Sequence, residues 1–77
     1  MKAGDRAWMY MPPRRNMSAR SWYAKWTLVI IEAGFPLNGE HLILLTAIED
    51  GAGIYTNRAN VILLPEYASE KVRRLLV

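Results

Sequence analysis

Between the second proline of a Pro12-Pro13 pair and Trp26 the chain reads PRRNMSARSWYAKW, interleaving Arg14, Arg15, Arg20 and Lys25 with Trp22, Tyr23 and Trp26. Cations attract phosphate whatever the base sequence, and flat rings offer faces on which unpaired bases stack. Arginine does both, pairing with phosphate through two parallel donors and lying flat on a base. The chemistry this stretch offers is therefore nucleic-acid binding: Arg14, Arg15, Arg20 and Lys25 hold phosphates, Trp22 or Tyr23 stacks, and Arg58 joins from a later turn. The competing use of the same residues is structural. Trp26 adjoins a strongly apolar run and is expected in the core, because buried aromatics dominate small cores. Trp22 is left between the two roles.

Other chemistry finds little footing. His41 is the single histidine, it sits among apolar residues, and the chain has no cysteine. No motif sets a serine beside it, so nucleophilic catalysis has no partner set and the chain is expected not to be an enzyme. Glu49 and Asp50 are adjacent carboxylates, but Asp-Gly is turn chemistry and a hard cation needs more oxygen ligands. The DGAG at 50–53 lacks the Lys-Ser/Thr of a phosphate loop. No metal, cofactor or small-molecule substrate is expected.

Charge sharpens the first reading. The net charge is +3, yet residues 1–26 carry six cations against one acid, while residues 27–65 carry four acids against Arg58. Segregated charge speaks to partners rather than to fold. At 77 residues the chain is one domain, and its 52% hydrophobic content excludes a disordered chain. The apolar runs TLVII and LILLTAI are too short to span a bilayer as helices. The start, MKAGDRAW, has no apolar signal region, so the expectation is a soluble protein of the cytoplasm with no membrane partner.

The elements that must position the basic stretch read as strands. Residues 5–11 alternate, with Trp8 and Tyr10 on one face and Ala7, Met9 and Met11 on the other, until Pro12-Pro13 stops them. Residues 14–24 have no period and read as a long exposed loop. Residues 25–33 are rich in β-branched side chains and form the second strand. The GFPLNG at 34–39 is a turn. Residues 40–48 form a third strand apolar on both faces, covered on two sides or bent across a barrel. Residues 52–56 and 61–64 are short strands around a single turn at 57–60. A terminal helix over 66–75 starts at Pro65, with Tyr67, Val72, Leu75 and Leu76 facing the barrel, or with Leu75, Leu76 and Val77 as an exposed edge that docks a partner.

Five short strands with a long first loop, tight later turns and a closing 3₁₀ turn resemble the SH3-like barrel superfamily. The resemblance implies a mainly β fold, a five-stranded antiparallel SH3-like barrel with a short C-terminal helix. Within it, Gly4-Asp5, Trp8, Arg14-Arg15, Trp26, Asp50-Gly51, Asn57-Arg58 and Leu63-Leu64-Pro65 fall in the order seen in the C-terminal DNA-binding domain of retroelement integrases. The chain departs from that pattern at Thr27-Leu28, where a Gly-Pro or Pro-Leu is usual. Peptide-binding SH3 domains are similar in the first strand, but their paired tryptophan and closing Pro-x-x-Tyr are missing here, which speaks against a proline-rich ligand. Together these readings predict a small non-enzymatic module for DNA or RNA. The alternative is a protein-interaction or structural adaptor, self-associating or seated in a larger assembly.

Overall fold

The computed structural model describes residues 2–11 and 25–76. They form a mainly β molecule: five antiparallel strands in one sheet and a short C-terminal helix. The strands are β1 (Arg6–Tyr10), β2 (Thr27–Leu37), β3 (Glu40–Ala47), β4 (Gly53–Asn57) and β5 (Ile62–Pro65). A 3₁₀ turn (Arg58–Asn60) joins β4 to β5, and helix α1 (Glu70–Leu75) follows. The hydrogen-bonded order is β4-β3-β2-β1-β5, so β4 and β5 are the sheet's edges.

Alternation builds one core. Ala7, Met9 and Met11 of the first strand region point inward, as do Val29 and Ile31 of β2 and Ile43, Leu45 and Ala47 of β3. Ile54 of β4 and Leu63 of β5, from opposite edges of the sheet, join the same cluster. Met9, Leu45 and Val29 are its largest fully buried side chains. Each contributes about 1.5–3 kcal/mol relative to exposure.

β2 runs further than its sequence suggests. The GFPLNG segment reads as a turn, yet Gly34, Phe35, Pro36 and Leu37 continue the strand and pair with β3. Only Asn38 and Gly39 turn the chain, with φ of 52° and 80°. Two successive positive φ values are the mark of a type I′ hairpin, which Asn-Gly accommodates with little strain. In such a hairpin Leu37 and Glu40 exchange the hydrogen bonds, so the next pair, Pro36 and His41, needs none across it. β1 pairs with β2 only as far as Ile30, which leaves the outer edge at Pro36 free of a ladder that its missing N–H would break. The register slips between Ile31 and Ala33, where Glu32 is the extra residue of a bulge that bends the strand.

Two expectations for the C-terminus are corrected. Pro65 does not open a helix: it ends β5, paired with Ala7. Helix α1 begins at Glu70, capped by the Ser69 hydroxyl, which accepts from the Val72 N–H. The apolar side chains of this C-terminal segment do not face the sheet either, since Tyr67 and Leu75 are 89% and 78% exposed and Val72 and Leu76 are exposed as well. This C-terminal segment docks instead through the Glu66 and Arg73 carbonyls and the Arg73 side chain. No helix among the described residues is long and apolar enough to cross a membrane.

Candidate nucleic-acid interface

The face of the sheet opposite the core begins with Trp8 and Tyr10, both half-buried, as their alternation with Ala7 and Met9 requires. Trp26 lies beside them, its ring centroid 5.5 Å from that of Tyr10. It is therefore not a core residue, which corrects the expectation: Thr27, next in the chain, takes the inward position and turns Trp26 outward.

The segment from Glu66 through α1 is bonded to the two tryptophans. The Trp8 indole N–H donates to the Glu66 carbonyl at 3.0 Å, and the Trp26 indole N–H donates to the Arg73 carbonyl at 3.1 Å. The Arg73 guanidinium carbon stands 3.8 Å from the centre of the Trp8 ring, a cation–π contact. That stacking goes with a cost, since the Arg73 Nε is buried with no hydrogen-bond partner among the described residues. On the exposed rim, Arg6 pairs with Glu66 at 2.8 Å and Arg74 with Glu70 at 2.6 Å, each contributing little in water.

The consequence is electrostatic. Trp26 directly follows Lys25, the last cation of the basic stretch, and its indole is bonded to the last turn of α1. That turn carries Arg73 and Arg74, and Lys71 lies within the same short helix. Lys71 and Arg74 are exposed, so two cations 46 and 49 positions beyond Lys25 in the chain stand within one helix of its neighbour. Sequence reasoning does not single these residues out for binding. The basic end of a helix is legible as dipole chemistry, but nothing local in the chain says which face of the sheet the helix is tied to.

The anticipated site residues fare unequally. Arg14, Arg15, Arg20, Trp22 and Tyr23 lie outside the described residues. Lys25 is exposed at the base of that segment, but it lines a cleft of about 200 Å³ with Thr27, Ala47, Glu49, Asp50 and Ala52. The two carboxylates there compete with any phosphate for Lys25. Asp50 also has a local duty, its Oδ1 accepting from the Ala52 N–H across the turn. Arg58 is half-buried and donates from its guanidinium to the Val61 carbonyl at 3.1 Å. It follows Asn57, which pairs with Leu42 near the start of β3, whereas Lys25 approaches Ala47 at the end of β3. The two cations thus sit at opposite ends of that strand and share no cleft.

No known family model matches this chain, and no curated protein or solved structure matches it. The arrangement itself must therefore carry the functional reading. Among the described residues no group of three His, Cys, Asp or Glu side chains is placed to hold a metal ion. His41 stands over Gly34, where an added Cβ would come within 3.1 Å of its Nε2, at the far end of the sheet from the tryptophans.

Proposed function

We propose that the protein is a non-enzymatic module, built as an SH3-like barrel, that binds nucleic acid through residues 14–25 together with the exposed cations of α1. The barrel reading is supported by the five-stranded antiparallel order and by a single core to which every strand contributes. The binding reading rests on one observation above the rest: the hydrogen bond from the Trp26 indole to the Arg73 carbonyl, which joins the end of the basic-aromatic stretch to a second basic stretch. Arg14, Arg15, Arg20, Lys25, Lys71 and Arg74 then hold phosphates, and Trp22 or Tyr23 stacks on bases. The resemblance to integrase DNA-binding domains points the same way, although a fold alone licenses no activity.

Fluorescence anisotropy with labelled single- and double-stranded DNA and RNA tests this. At roughly 50 mM salt, where phosphate contacts are strongest, binding is expected with at least one of them. Arg14→Glu with Arg15→Glu is expected to abolish it with no change in melting temperature. An unmodified protein that leaves every probe unbound at that salt ends the reading.

A second reading, a protein-interaction or structural adaptor, is favoured by the other half of the outer face. There Phe35, Leu37, Leu44, Ile48 and Tyr55 are exposed. Analytical ultracentrifugation showing a stable oligomer, from a protein that binds no nucleic acid, would select it.

A further inference from the structure

At the end of the sheet remote from the tryptophans, a cleft of about 340 Å³ opens between the start of the chain, the bent part of β2, the start of β3 and the 3₁₀ turn. Its floor is apolar: Ile31, Ile43 and Leu63 are buried core residues that close its bottom. Its rim carries Lys2, His41 and Arg58, and no acidic side chain among the described residues lines it. The rim and floor therefore ask for different halves of one ligand, an oxyanion above and an apolar body below.

Two features of the backbone shape this cleft. Gly34 lies directly under the His41 ring, and a Cβ at Gly34 would stand 3.1 Å from Nε2, tighter than ordinary contact. The ring keeps its position over the cleft because residue 34 has no side chain. Arg58, for its part, has one guanidinium nitrogen held by the Val61 carbonyl. That bond orients the planar fork in advance, so less side-chain freedom is lost when a carboxylate or phosphate meets its remaining donors. Among the described residues Arg58 forms no ion pair. The cleft's volume falls at the small end of the range of ligand pockets, roughly 300–1,000 Å³.

We infer that this cleft is a binding site for a small anion carried on an apolar body, a phosphate or carboxylate monoester-sized ligand such as an aryl phosphate or aryl carboxylate. Lys2 and Arg58 hold the oxyanion, His41 walls it, and Ile31, Ile43 and Leu63 receive the ring. The site is independent of the proposed nucleic-acid interface of residues 14–25 and α1, with which it shares no residue.

Two-dimensional NMR of the full chain, titrated with phenyl phosphate, benzoate, inorganic phosphate and benzyl alcohol, tests it. Phenyl phosphate or benzoate is expected to shift the signals of Gly34, His41, Ile43 and Arg58 saturably, at ~1 mM affinity, while the head alone and the body alone bind at least ~10-fold more weakly. The phosphate and carboxylate arms tell which oxyanion the rim prefers. Arg58→Gln should weaken binding about tenfold, the worth of one charge-assisted hydrogen bond. Because Arg58 also braces Val61, Lys2→Ala serves as the variant that touches no packing, with a weakening of about threefold expected. No saturable shift of those four signals up to ~10 mM, or equal responses to phenyl phosphate and inorganic phosphate, would overturn the inference. So would affinity for phenyl phosphate unchanged in both variants.

Discussion

The outer face of this sheet has two halves made from the same kind of residue and put to different ends. On β1 and just before β2, Trp8 and Trp26 are bonded to the C-terminal segment that ends in α1, and Tyr10 packs on Trp26. On the far part of β2 and on β3 and β4, Phe35, Leu44 and Tyr55 are 37%, 36% and 59% exposed, with no helix over them among the described residues. Phe35 and Tyr55 lean on each other, centroids 6.0 Å apart, and Phe35 pairs across the strands with Leu42, which is buried outside the main core cluster. The bonded half is held by polar contacts: two indole N–H groups on carbonyls and one guanidinium on a ring. On the open half the Phe35–Tyr55 ring contact takes the place of such bonds. A tryptophan has an N–H to give, and that donor is what ties a chain segment across an aromatic face; phenylalanine has none to offer.

The contrast can be broken most severely by ending the chain at Ala68. This removes the Arg73 carbonyl and guanidinium, and with them one indole bond and the cation–π contact. The expected loss is about 3 kcal/mol in urea unfolding, with a red shift of tryptophan emission. Unchanged stability and emission would mean that the helix is not bound to the sheet in solution. A narrower probe is Trp8→Phe, which keeps a ring but leaves the Glu66 carbonyl without its donor. About 1–1.5 kcal/mol should be lost, against less than ~0.5 kcal/mol for Tyr55→Phe on the open half. Equal losses would erase the distinction between the halves. Phe35→Ala should cost about 1 kcal/mol, the worth of one tilted ring pair and its cross-strand pairing with Leu42. Smallest is Ser69→Ala, about 0.5 kcal/mol, because the cap it removes serves a helix of only six residues. A larger effect there would show that α1 is a stronger part of the fold than its length suggests.

Much of this is legible in the chain, for identifiable reasons. Period-two alternation in residues 5–11 places Trp8 and Tyr10 opposite Ala7, Met9 and Met11, because a strand gives each residue only one of two faces. Asp50-Gly51 and Asn38-Gly39 mark turns through their backbone requirements, and Asn57 caps the 3₁₀ turn through its own side chain. What misleads is proline and hydrophobicity read locally. Pro36 and Pro65 look like breaks, yet each sits where the ladder asks for no donor or where the strand is ending. Leu75, Leu76 and Tyr67 look like the inner face of a helix, but whether α1 lies on its apolar side is decided by partners 47 and 58 residues away in sequence. Trp26 misleads for a related reason, since a strand puts neighbours on opposite faces and Thr27 holds the inward one. The candidate site is legible in part: the cations before Trp26 are visible, whereas their junction with Lys71 and Arg74 depends on that long-range bond.

The central claim is that this junction makes one interface from two basic stretches. The salt dependence of binding to duplex DNA tests it directly, measured for the unmodified chain and for the Lys71→Gln, Arg74→Gln double variant. The log-log slope should fall in magnitude by about 0.9 for each phosphate no longer neutralised, close to two units for the pair, with the melting temperature unchanged. A slope identical in the two proteins would contradict it, leaving α1 a structural support of Trp8 and Trp26 with no part in binding.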